Sequence, residues 1–226
     1  MVASFNHQSL KKRFLKAKVI SRTLSALIIA PLILIAVYIG GMFFNALVFL
    51  VAACAMMEWS KMLLHKRNTR KVWYAIGILY IFIPSMSLIY IRYLPWGAWL
   101  LIWLLVVIWA SDIGGYVFGI TIGGPKLAPW ISPSKTWSGL FGGILSGFCI
   151  GIASASMIHT HNLSIYLISL LIPVMAHIGD LSESKIKRLF GIKDSGSLIP
   201  GHGGIMDRID SIATAAPLLA GILYFS

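Results

Sequence analysis

The chain has 226 residues, 58% of them hydrophobic, with a mean hydropathy of +0.85 and a formal charge of +12. A water-soluble domain of this size has no interior large enough for so much apolar surface, so composition excludes one and points to a polytopic membrane protein. It also changes what the charge means. The basic residues fall in short loops between apolar runs, which favours an anionic leaflet or an anionic substrate over nucleic acid as their partner.

In chain order, Lys11, Lys12, Arg13, Lys16, Lys18 and Arg22 precede an apolar run from about Thr23 to Ile39. The run is long for a signal peptide and no small-x-small cleavage site follows it, so a retained first span is expected. Gly40-Gly41 predicts a tight turn into a second, shorter span ending near Met57, followed by a basic loop with Lys61, Lys66, Arg67, Arg70 and Lys71. A third span is predicted over Val72 to Tyr90, with Arg92 and Pro95 marking its far end, and a fourth from Trp96 to about Gly119. A Gly- and Pro-rich loop, Ile122 to Trp137, carries Lys126 and Lys135. The fifth span follows from about Ser138 to Ile158, the sixth from Leu163 to about Ile178, and the last from about Ile209 to Phe225.

The expected fold class is therefore all-α, a polytopic integral membrane protein of about seven transmembrane helices forming a single domain over residues 1–226. Assigning alternate loops to the two sides places 18 of the 19 Lys and Arg on one face and leaves Arg92 opposite. Under the positive-inside rule that face is cytoplasmic. Cys54 and Cys149 sit inside apolar runs with no disulfide or metal-ligand spacing and read as packing residues. Gly139, Gly142, Gly143 and Gly147 read as a close helix-packing surface.

One polar stretch, His177 to Ser211, holds five of the seven acidic residues: Asp180, Glu183, Asp194, Asp207 and Asp210. A sixth, Asp112, ends another apolar run, and only Glu58 is left elsewhere. Charges at membrane depth are costly and normally face a cavity, a partner or an ion, so this stretch is the candidate site. If it continues the sixth helix, Asp180, Ser184, Lys187 and Arg188 recur at i, i+4, i+7 and i+8 and share a face. The helix pattern breaks at Gly191 and again at Ser195-Gly196, Pro200-Gly201 and Gly203-Gly204, where the backbone can approach a ligand closely. A final helix is predicted from near Ile205, with Asp207 and Asp210 on one face and Arg208 beside them. Two helices ending in carboxylates and joined by a cationic, glycine-rich loop would cradle a divalent metal and phosphate. Taken singly, the basic turn Lys185 to Arg188 reads as a lipid-headgroup anchor, a lone Asp as a solvated helix end and His202 as a turn residue. Their co-occurrence in a chain that otherwise avoids charge favours function.

The order Ser184-x-x-Lys187-Arg188, Lys193-Asp194-Ser195-Gly196, Pro200-Gly201-His202-Gly203-Gly204 and Asp207-Arg208-x-Asp210-Ser211 resembles the signature of the phosphatidate cytidylyltransferases, the CDP-diacylglycerol synthases. The block from Gly124-Pro-Lys126 to Ser132-Pro-Ser-Lys135-Thr136-Trp137, and Ser111-Asp112 with the glycines after it, is similar to further family motifs, although Ser138 stands where the family usually carries Glu. The likeness runs from about Ile108 to the C-terminus, with the catalytic motifs in 108–211.

The resemblance implies a membrane enzyme that transfers the cytidylyl group of CTP to phosphatidate, with Mg²⁺ and, as an option, a monovalent cation such as K⁺. Asp180 and Asp207 are then the first choice of metal ligands, with Asp210 and Asp112 after them. Lys187, Arg188, Lys193, Asp194, His202 and Arg208 carry the catalytic role, and Ser184, Lys135, Gly203 and Gly204 bind substrate. The expected partners are CTP, phosphatidate and membrane lipid, with no nucleic acid and a homodimer left open; the expected location is the inner (plasma) membrane with a cytoplasmic active site. Two alternatives stand beside this: a CTP-dependent polyprenol or dolichol kinase, and an ion or solute transporter, which would carry its charges near the bilayer midplane on broken helices.

Overall fold

The structure is a computed structural model and describes residues 27–64, 70–155, 163–196 and 203–225. The basic N-terminal cluster Lys11 to Arg22, Lys66 and Arg67, and the Pro200 to His202 segment lie outside the described residues. Within them the chain forms seven helices and one small hairpin: α1 Leu27–Ile39, α2 Gly41–Leu63, α3 Arg70–Tyr93, α4 Gly97–Thr121, β1 Lys126–Ala128, β2 Ser132–Thr136, α5 Trp137–Ala153, α6 Leu163–Leu189 and α7 Met206–Phe225. Five of the helices, α2, α3, α4, α6 and α7, are long and apolar enough to cross a membrane. The described part of α1 and the 17-residue α5 reach about 20 and 26 Å, short of the ~30 Å hydrocarbon layer. The helical membrane fold is thus as expected, with five clear candidate spans where seven were expected.

Turn chemistry fixes the helix order. Gly40 and Gly41 both take positive φ, 69° and 56°, and join α1 to α2 without a loop. At the same end of the bundle the Arg92 guanidinium covers Gly40, where a Cβ would collide with it, and its Nε donates to the Val37 carbonyl at 2.7 Å. Arg92 therefore satisfies a carbonyl at the end of α1 that has no partner within the helix.

Two elements differ from the sequence expectation. Helix α2 does not stop near Met57 but runs through Glu58 and Lys61 to Leu63, because the Glu58 carboxylate is buried against donors of the polar stretch and never meets lipid. The loop Ile122 to Trp137 contains an antiparallel hairpin, pairing Lys126 with Thr136 and Ala128 with Ser132, so the fold is not purely helical. The hairpin runs straight into α5, whose first turn is capped by Thr136 Oγ1 accepting from the Gly139 N–H at 3.1 Å.

Helices α4 and α5 approach through glycine. A Cβ on Gly139 would lie 2.8 Å from the Gly115 carbonyl, and one on Gly147 would lie 2.8 Å from Pro173 Cβ of α6. This is the close packing expected of small residues where lipid offers no hydrophobic drive to associate. Two apolar clusters complete the interior. The larger, including Phe44, Ile91, Trp103, Leu104, Ile172 and Leu219, fills most of the bundle. The smaller packs Trp59 and Met62 of α2, Ile81 of α3, Phe190 after α6 and Met206 of α7 at the end where the polar stretch lies. Cys54 and Cys149 are free thiols.

Candidate active site

The polar stretch takes its shape from helix ends. Helix α6 continues past Ile178 to Leu189 and ends in a Schellman motif: the Gly191 N–H bonds the Arg188 carbonyl at 3.0 Å and the Ile192 N–H bonds the Lys187 carbonyl at 3.0 Å, with Gly191 at φ 73°. The chain then turns back to α7, where Asp207 in the first turn reaches back to the Gly204 N–H at 2.9 Å, in the manner of a capping box. Gly203 sits at φ 85°, and a Cβ there would lie 2.9 Å from Asp207 Oδ2, so both the backbone and the space demand glycine.

These ends enclose a cavity of about 1000 Å³, at the upper end of the ~300–1,000 Å³ common for ligand clefts. It takes Asp112 from α4, Lys135 from β2, His177 and Asp180 from α6, Lys187 from its last turn, Asp194 from the loop, and Asp207, Arg208 and Asp210 from α7. Asp112 lies nine residues inside the end of α4, roughly two and a half turns, so the cavity reaches from the helix ends into the apolar layer. Tyr116, Ile120, Leu140 and Leu181 give it an apolar wall.

Its charges are arranged in pairs. Lys135 forms an ion pair with Asp180, tying the hairpin to α6. Lys187 Nζ lies 2.5 Å from Asp207 Oδ1 and 3.5 Å from Glu183 Oε1, tying α6 to α7. Asp207 Oδ2 accepts from the Gly204 N–H and, at 3.4 Å, from the Ser195 N–H. Asp112, Asp180 and Asp210 lie close enough to repel one another. Among the described residues the lining carries five carboxylates against three cations, so this part of the cavity is net negative even with its internal pairs formed.

Of the residues singled out in the sequence, Asp112, Lys135, Asp180, Lys187, Asp194, Gly203, Asp207, Arg208 and Asp210 are brought together around this space. Ser184 stands beside it, 3.5 Å from Asp180 Oδ1, and Gly204 donates to Asp207 from behind. Arg188 and Lys193 do not line the cavity. Arg188 is exposed and braces the hairpin instead, donating to the Ile131 carbonyl at 3.1 Å and to the Ile192 carbonyl at 2.8 Å. His202 is outside the described residues.

Three residues were given no role from the sequence, two of them inside the polar stretch. His177 lines the cavity with its Nε2 3.2 Å from Ser111 Oγ; the available signal was its place one turn before Asp180. Glu183 is fully buried behind Lys187, with its carboxylate against that of Asp210. Glu58 of α2 is also buried, and its signal was that it is the one acid in an otherwise apolar span.

A sequence profile of the cytidylyltransferase family matches residues 67–226, which include every element that contributes a side chain to the cavity lining. The chain belongs to the cytidylyltransferase family. Cytidylyltransferase-family proteins similar to it include the phosphatidate cytidylyltransferase of Rickettsia bellii, 35% identical over 227 residues, 97% of this chain and 96% of that one. That of Rickettsia felis is 35% identical over 212 residues, covering 90% and 92% of the two chains. That of Brucella suis is 41% identical over 173 residues, 76% of this chain. The match spans 62% of the Brucella relative's length.

Proposed function

We propose that this protein transfers the cytidylyl group of CTP to phosphatidate, forming CDP-diacylglycerol and releasing pyrophosphate. The observation that carries the reading is the convergence of the hairpin lysine, one acid and one lysine of α6 and the acids and arginine of α7 on one cavity with an apolar wall. The name shared by the Rickettsia and Brucella relatives supports the same substrates. Tyr116 and Ile120 line the cavity yet are 71% and 62% exposed on the flank of α4, so a bilayer lipid would meet the site from the side.

In the reaction a phosphate oxygen of phosphatidate attacks the α-phosphorus of CTP, a new P–O bond forms, and the bond to the departing pyrophosphate breaks. No covalent enzyme nucleophile is required, so the protein's work is orientation and charge stabilisation. Lys135, Lys187 and Arg208 hold phosphate oxygens, and the apolar wall keeps bulk water from competing with the lipid phosphate. Arg188 and Lys193 contribute from the rim, by bracing the hairpin and by drawing anions in, and Gly203 and Gly204 offer backbone close to the phosphates, with His202 kept as a catalytic candidate from the sequence. His177, whose Nε2 meets Ser111 Oγ, lines the same cavity and is available to the substrate.

A net negative cavity cannot take two anionic substrates without added positive charge. Its carboxylate-rich donor set suits Mg²⁺, which needs only one or two carboxylates beside substrate phosphates and water. Among the described residues no three acids or histidines converge as a ready-made metal cluster, in keeping with an ion completed by substrate. One or two of Asp210, Asp112 and Asp180 would hold it, Asp180 by exchanging its Lys135 partner, and Asp207, whose oxygens accept from Lys187, Gly204 and Ser195, would likewise join only by exchanging a partner. When bound, Mg²⁺ supplies neutralisation of the phosphates as charge shifts to pyrophosphate. The same excess of carboxylate leaves room for a monovalent cation such as K⁺.

The reading includes seven crossings of the inner membrane, a cytoplasmic cavity and, as an option, a homodimer. Purified full-length protein in detergent should release pyrophosphate only when CTP, phosphatidate and Mg²⁺ are all present. Transfer of the γ-phosphate to a polyprenol would favour the kinase reading, and CTP turnover with neither lipid would refute both.

A further inference from the structure

The carboxylate of Glu58 is 1% exposed in a helix that otherwise faces lipid and packing partners, and it takes no part in the cavity lining. Its Oε1 accepts from the Ile205 N–H at 3.0 Å, and its Oε2 accepts from the Met206 N–H at 3.0 Å and from Ser195 Oγ at 3.2 Å. Two of these donors are the backbone amides opening α7, which have no partner within the helix, and a negative charge is favoured there. The third, Ser195, uses its own N–H on Asp207, so it links the two carboxylates. Gly196 and Gly204 form the seat: a Cβ on Gly196 would collide with the Glu58 carboxylate, and one on Gly204 would lie 2.5 Å from Glu58 Oε2. The neighbouring Trp59 is fixed by donating to the Trp73 carbonyl at 2.9 Å and by stacking on Tyr80, so the end of α2 that presents Glu58 is anchored.

We propose that Glu58 is a positioning residue for the active site: from outside the family-matched segment, which begins at residue 67, it pins Ser195 and the start of α7 so that Asp207 meets Lys187 at the cavity. A carboxylate is needed because three donors converge and an amide would turn one of its own N–H groups toward them. The inference rests on the proposed activity for its kinetic consequence but not for its structural one.

The test uses full-length protein in detergent and the variants E58Q, E58D and S195A, each followed by amide exchange of the 203–210 peptide and by CTP- and phosphatidate-dependent turnover. In E58Q the 203–210 amides should exchange at least tenfold faster while α3 and α4 keep their protection, since local opening is what the lost contacts restrain. Turnover should fall tenfold or more with KM for CTP changed less than threefold, because Glu58 touches no substrate. E58D, one methylene too short to reach all three donors, should fall between. S195A should give a smaller loss that does not add to that of E58Q, and it serves alone if E58Q does not fold. Unchanged exchange at 203–210, faster exchange with full turnover, or loss of protection throughout α3 and α4 would each overturn the proposal. A wild-type protein without cytidylyl transfer would remove the functional reading and leave the exchange result to decide whether Glu58 holds the loop.

Discussion

Replacing Lys187 with methionine keeps most of the side-chain volume and removes the charge that joins α6 to α7. Lys187 and Asp207 are 11% and 12% exposed at their side chains and Glu183 is 0% exposed, so solvent cannot repair the loss. Stranding a buried carboxylate costs about 3–5 kcal/mol, and one charge-assisted contact to a substrate phosphate is worth ~1.5–3 kcal/mol, or about 10- to 150-fold in kcat/KM. The expected result is a marked loss of stability in a denaturant titration together with a loss of at least tenfold in pyrophosphate release. Combining K187M with D207N separates the two effects. The asparagine is neutral and still offers a carbonyl oxygen to the Gly204 N–H, so the double variant should regain ~1.5–3 kcal/mol relative to the sum of the single changes, within the coupling expected of contacting groups. Turnover should not return, because the cation that meets phosphate is still missing. Strictly additive stability losses, or recovery of turnover with stability, would refute the assignment of Lys187 to both tasks.

Asp180→Asn should lower turnover tenfold or more in saturating Mg²⁺, whereas Asp180→Glu should raise the Mg²⁺ concentration needed for half-maximal rate; an unchanged requirement would remove Asp180 from the metal site. For topology, a cysteine at the exposed Lys193 should react with impermeant reagents only after the membrane is opened, and one at Trp96, at the opposite end of the bundle, should react in sealed, right-side-out cells. Reversal of that pattern would place the cavity on the wrong side for CTP. Gly139→Ala puts a methyl group 2.8 Å from the Gly115 carbonyl and should cost about 1–3 kcal/mol in the denaturant titration, as overpacking does; no loss would mean that α4 and α5 sit further apart.

The helical membrane fold was legible because its signals are local. Apolar runs of about twenty residues, glycines at Gly40-Gly41 and Gly191, and basic loops each depend on a few neighbouring residues, and the structure places helix ends close to them. The hairpin was not legible. Its strands have three and five residues, Pro133 interrupts the second, and what holds them is tertiary: Arg188 donates to the Ile131 carbonyl from 57 residues away. The end of α2 failed for a related reason. A charged residue normally closes an apolar run, but Glu58 finds its donors 137 to 148 residues along the chain, a distance that no hydropathy window can see.

The site was legible in membership but not in roles. Counting acids and cations in one stretch gathers Asp180, Lys187, Asp207 and Asp210, which the structure brings around one cavity, because charge in a lipid setting is rarely scattered. It cannot tell a carboxylate that awaits an ion from one already spent on the fold. Asp207 stands in the signature as prominently as Asp210, yet its oxygens accept from Lys187, Gly204 and Ser195, which makes it first a capping and pairing residue. Asp112 and Asp210 face each other's charge across the cavity with no lysine paired to either among the ion pairs of the described residues. The division follows from electrostatics: Lys187 neutralises Asp207, the acid that shapes the loop, and the acids left repelling one another are those that an added cation would bring together. On the proposed function, signature residues at this site split between building the helix ends and binding the ion, and variants of Asp207 and Asp210 should differ accordingly, the first weakening the fold and the second leaving it intact while changing the response to Mg²⁺.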